Sequence, residues 1–116
     1  MLQEILPQTK GEQRMKNAIQ EIIKKVPKGK IFDSHYVINH LISDYSDEYL
    51  IFASEIINSQ KATKPRDITA YVHSQISQKI GESDLVTRVE LNGEKTEFYS
   101  DNIRGNANGC AGWRRV

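Results

Sequence analysis

The apolar residues change their spacing at Gly81, from about four to two, and this confines the chain to folds in which a helical part is followed by a β part. Before that point Ile68, Val72, Ile76 and Ile80 recur every four residues. Pro65 suits the first turn of such a helix, where its missing amide costs nothing, and Gly81 suits its end. Beyond Gly81, Leu85, Thr87, Val89 and Leu91 alternate with Val86, Arg88 and Glu90, which is the period of a strand. Asn92-Gly93 is the strongest of short hairpin signals, so 85–99 is expected to form a hairpin turning there. A two-residue loop sets Glu90 against Lys95 and Arg88 against Glu97 on one face, with Val89 against Thr96 and Thr87 against Phe98 on the other. The two opposite-charge pairs agree with that register.

Helical spacing also marks the earlier segments. Met15, Ala18, Ile19, Ile22, Ile23 and Val26 define one face of an amphipathic helix that starts at Glu12 and stops at Pro27 and Gly29. Lys30 to Phe32 reads as a short extended piece. Asp33 or Ser34 can then cap a helix that turns Val37, Ile38, Leu41 and Ile42 inward. Ser46-Asp47 is a second cap signal, before Tyr49, Leu50, Phe52, Ala53, Ile56 and Ile57 at helical spacing. Residues 58–63 are polar and read as a loop. The Gly/Asn-rich tail 100–109 reads as another, followed by a last short strand carrying Cys110 and Trp113.

A chain of 116 residues holds one core and is short for two, so residues 12–116 are expected to form a single domain behind a flexible arm, 1–11. Apolar residues at 38% and charged residues at 27% supply enough to bury, which argues against wholesale disorder. No apolar run approaches the length of a bilayer span, and the first residues lack the layout of a secretory signal, so the expected location is the cytoplasm. One cysteine and three scattered histidines make no disulfide and no metal-ligand spacing. Cys110 is expected to be a buried structural thiol, and no cofactor is implied.

The net charge of +1 conceals a segregation. Residues 1–30 hold seven Lys/Arg against three acids, 31–60 hold five acids and no Lys or Arg, and 61–116 hold nine basic residues against seven acids. Any basic surface must therefore be local.

The order of helix, short strand, two or three helices and β-hairpin resembles the winged helix-turn-helix family. The likeness rests on IFDSHYVINHLI after the first helix, KPRDITAYVHSQISQKIG as recognition helix and LVTRVELNGEKTEFYSDNIRGN as wing, and it covers about residues 12–116. More loosely, the chain resembles short winged-helix proteins of bacteria and their phages. The resemblance implies an α+β fold, binding to double-stranded DNA and a role in transcriptional regulation, with the recognition helix in the major groove and the wing on the backbone or minor groove. On this reading Lys61, Lys64 and Arg66 meet phosphate at the start of the last helix, Ser74 and Gln78 approach bases, and Arg104 contacts phosphate or the minor groove. The bland reading of these cations is a solvated surface, and that of Arg114 and Arg115 a solubilising tail.

Asp33-Ser34-His35 with His40 is the one sequence that invites an enzymatic reading, but no further ligand is spaced to complete a set and Asp33 has a cap to make. No catalysis is expected. The acidic middle suits a different alternative, a protein-interaction module or a homodimer that buries Tyr49 and Phe52 of the central helix.

Overall fold

Four α-helices and three β-strands make up the described part of the chain, residues 9–59, 64–89 and 112–116 of a computed structural model. The first helix, α1 (Lys10–Lys24), starts two residues before the expected Glu12, because Thr9 takes the cap: its hydroxyl oxygen accepts from the Glu12 amide at 3.0 Å. Met15, Ile19, Ile22 and Ile23 are fully buried along its inner face. After it, the Lys30 amide donates to the Pro27 carbonyl at 3.1 Å, and Gly29 takes φ +87°. That pattern is a type II turn, whose third position favours glycine.

Strand β1 (Ile31–Asp33) leads straight into α2 (Ser34–Asp44). Asp33 is the expected cap, its Oδ1 accepting from the Tyr36 amide at 3.0 Å. Val37, Ile38 and Leu41 face inward as expected, whereas Ile42 is 48% exposed. Leu41 lies at the centre of the buried face, and one residue further turns the helix by about 100°.

Helix α3 (Ser46–Asn58) follows after Tyr45 alone, which is its N-cap and makes no side-chain cap bond. Ser46, expected to cap, is thus already inside the helix. Of the six apolar positions assigned here, Phe52 and Ile56 are buried, while Leu50 and Ile57 are 60% and 49% exposed. At 100° per residue those two lie about 140 to 160° round from Phe52.

The expected helix before Gly81 is α4 (Pro65–Gly81), with Pro65 in its first turn and Val72, Ile76 and Ile80 in the core. Ser83 ties the turn that follows to α1, donating to Gln20 at 3.0 Å and accepting from the Leu85 amide at 3.1 Å. Then comes β2 (Val86–Val89), where the change of period placed a strand.

The last strand, β3 (Gly112–Arg115), lies between the other two and is antiparallel to both. Phe32 pairs with Trp113 and Ile31 with Arg114 on one side; Arg88 pairs with Trp113 and Thr87 with Arg114 on the other. Phe32 and Trp113 stand side by side at 6.2 Å and face the helices, so the aromatic face of the sheet closes the core. The Asn92-Gly93 turn, its second strand with Lys95 and Phe98, the 100–109 loop and Cys110 lie outside the described residues. No described helix is long and apolar enough to cross a membrane.

Candidate nucleic-acid interface

Helix α4 owes its two faces to spacing. Every fourth residue from Ile68 to Ile80 points to the core, while Arg66, Ala70, Ser74 and Gln78, also four apart, are all exposed. Over 12 residues this stripe runs about 18 Å and drifts about 120° round the helix, so Arg66 and Gln78 stand at opposite ends of a slanting surface. The side chains between them are small. Ser74 donates its hydroxyl to the Tyr71 carbonyl at 2.9 Å, which leaves its oxygen to accept from a base or water.

Lys64 is the residue before the helix, in extended backbone, and Arg66 is in its first turn, just after Pro65. Both are exposed, and among the described residues neither lies within salt-bridge distance of a carboxylate. Cations beside a helix start are placed where exposed amides and the helix dipole already favour an anion. Asp67 in the same turn offsets one of the two charges. Lys61 and Arg104 lie outside the described residues. The structure therefore places Arg66, Ser74 and Gln78 along one helix, with Lys64 just before it.

The other cation of α4 does something else. Lys79 is buried, its Nζ bonding Glu12 of α1 at 2.9 Å and standing 5.6 Å from the centre of the Phe52 ring. Near this pair, Glu55 of α3 accepts from the Thr9 hydroxyl and from the Gly11 amide, the latter at 3.0 Å. A Cβ on Gly11 would come within 2.6 Å of the Glu55 carboxylate, so glycine is what allows this carboxylate to reach the start of α1. Sequence reasoning missed both contacts, since each joins residues more than 40 apart.

The expected protein-binding anchors stand differently from the expectation. Phe52 is 4% exposed and belongs to the core, so it is removed from any surface of the folded monomer. Tyr49 is half-buried, its hydroxyl 2.9 Å from Nε2 of His73. Burial pushes the Tyr49 hydroxyl above its ordinary pKa, so it keeps its proton beside His73. Burial likewise pushes His73 down, and the nearby charge of His35 pushes it the same way. The cluster thus links α2, α3 and α4.

Because the unfolded chain takes up a proton on His73 more readily than the folded one, stability is expected to fall as pH drops below about 6.5, the ordinary histidine value. The loss is complete once pH is below the depressed folded value. Urea titrations between pH 7.5 and 5 check this, with His73→Gln reducing the dependence in that window. An equal pH dependence in the variant would remove His73 as its cause.

Other grooves offer less chemistry. One of about 210 Å³ is lined by Arg14, Asn17, Ala18, Glu21, Tyr45 and Glu48, and the bond of Arg14 to Glu48 at 2.7 Å spans it. That guanidinium holds the Glu48 carboxyl below its usual range. His40 bonds Asp44 at 3.0 Å and lies against the Tyr36 ring at a tilt of 57°, so it sits in a local pair on α2 rather than with Asp33. Among the described residues no three His, Cys, Asp or Glu side chains are grouped to hold a metal ion. Comparison with family models, with curated proteins and with solved structures returns no match.

Proposed function

We propose that this chain is a DNA-binding protein on the winged helix-turn-helix plan, with α4 as the helix that enters the major groove and transcriptional regulation as its role. The observation that carries the reading is the outer stripe of α4, small and polar along its length and headed by Lys64 and Arg66, which have no carboxylate partner among the described residues. Supporting it, α4 runs into β2 of an antiparallel sheet through a short turn, as the resemblance of the sequence implies.

Titration of random duplex DNA at low salt tests the reading, because backbone binding needs no knowledge of a target sequence. Wild type is expected to bind at about 50 mM salt. Lys64→Ala with Arg66→Ala is expected to flatten the slope of log K against log salt by about 1.8, since each phosphate left without its cation accounts for about 0.9. Gln78→Ala should leave the slope alone and relax preference at one base pair by about 1 to 3 kcal/mol. Absence of binding by wild type at that salt overturns the proposal.

One observation favours a second reading, a homodimer or protein-interaction module built on α3. Leu50 and Ile57, seven residues apart, expose apolar side chains on one side of that helix. The described acids Asp47 and Glu48 flank its start. This reading becomes the leading one where duplex DNA fails to bind.

A further inference from the structure

Resting on the DNA-binding reading, we propose a second phosphate-backbone contact at the far end of α4, made by Lys28 and Arg114. Lys28 and Arg114 are more than 80 residues apart in sequence and are joined by the pairing of β1 with β3. The Gly29 amide donates to the Arg115 carbonyl at 2.7 Å, the Arg115 amide to the Lys30 carbonyl at 2.9 Å, and the Arg114 guanidinium to the Gly29 carbonyl at 2.9 Å. The turn that carries Lys28 and Lys30 is therefore fixed to the strand that carries Arg114 by three hydrogen bonds, and its shape is set by the positive φ of Gly29.

This fixed cluster has the chemistry of a backbone clamp. Lys28 and Arg114 are exposed, and among the described residues neither is within salt-bridge distance of a carboxylate. A guanidinium has five N–H donors in a rigid fork, so one bond to a carbonyl leaves donors for phosphate oxygens. The nearby acids Glu82 and Asp84 lie in the turn after α4 and form no ion pair with Lys28 or Arg114.

The position fits a duplex better than a small anion. Gly81 lies against the Trp113 indole, and the Val116 amide donates to the Leu85 carbonyl, so the cluster is at the C-terminal end of α4. Lys64 and Arg66 are at the other end. A helix of 17 residues is about 25 Å long, a span covered by about seven nucleotides of one strand. Arg114, next to the inward-facing Trp113, stands on the outer face of the sheet, so a polyanion that meets both groups of cations must reach from α4 past the sheet edge, which a single phosphate cannot.

The test compares salt slopes for random duplex DNA. Lys28→Gln removes an exposed cation whose side chain bonds nothing among the described residues, and is expected to flatten the slope by about 0.9 with no change in melting temperature. Lys28→Gln with Arg114→Gln is expected to flatten it by about 1.8, while Arg114→Lys, which keeps the charge, leaves it near that of wild type. If wild type binds and the Lys64/Arg66 variant flattens the slope but Lys28→Gln and Arg114→Gln do not, this second contact is overturned and the α4 reading stands. If wild type binds no duplex, both fall. Charge-dependent binding to phosphatidylserine vesicles without binding to duplex overturns the proposal in favour of a lipid surface.

Discussion

Phe52→Ala is expected to lower the stability of the fold by about 3 to 5 kcal/mol, the range for deleting a buried aromatic ring. The ring is almost fully covered in the core shared by α1, α3 and α4, and Lys79 stands over one side of it. Its removal leaves a cavity and takes away the aromatic face that the ammonium contacts. Phe52→Glu is worse, because a carboxylate at that position has no water and gains a cation only in Lys79, which Glu12 already holds. Consequently, loss of self-association in a Phe52 variant reports damage to the core and says nothing of an interface. Urea unfolding followed by far-UV circular dichroism measures the effect. Leu50→Ser on the exposed side of the same helix serves as control, expected within about 0.5 kcal/mol of wild type. A Phe52→Ala cost below about 1 kcal/mol would falsify the packing described for α3.

The contrast between Phe52 and Leu50 marks how far the sequence could be read. Periodicity located all four helices and the strand after Gly81, because α1 and α4 each repeat apolar residues in one unbroken phase. In α3, apolar residues occur on both sides of the helix, and spacing alone does not say which side meets the core. Only the packing of α1 and α4 against Phe52 and Ile56 decides it. Capping was legible where the side chain was local, as at Asp33, and failed at Ser46, where a one-residue link between α2 and α3 leaves no room for a separate cap.

The candidate site was legible to the same degree. Arg66, Ser74 and Gln78 share a single helix and Lys64 is its N-cap, so their common surface follows from position. Lys28, Lys30 and Arg114 come together through pairing of strands far apart in the chain, which no local pattern encodes. For that reason the arginines at 114 and 115 read as a tail in the sequence and stand in the central strand of the sheet in the fold.

Glu12→Ala is expected to destabilise the protein by about 1.5 to 3 kcal/mol, the range for a hydrogen bond to a charged group, whereas Lys79→Met should be close to neutral. The asymmetry arises from burial. The Lys79 side chain is 6% exposed and the Glu12 side chain 33%, so deleting the carboxylate strands a charge that water hardly reaches, while deleting the ammonium leaves a carboxylate that water can solvate. A methionine keeps the length and apolar stem of lysine against Phe52; it forgoes the bond to Glu12 and the cation over the ring, and it removes the desolvation of the ammonium that offsets both. Glu12 also lies in the first turn of α1, where its charge complements the helix dipole, so a few tenths of its cost belong to that effect. The double variant separates the terms: Glu12→Ala with Lys79→Met should be more stable than Glu12→Ala alone, since the second change removes the stranded charge. Equilibrium unfolding of the four proteins in one buffer at pH 7 measures the cycle. If the double variant is less stable than Glu12→Ala, the ammonium is not stranded, and the pair is a solvated contact of the kind that contributes little.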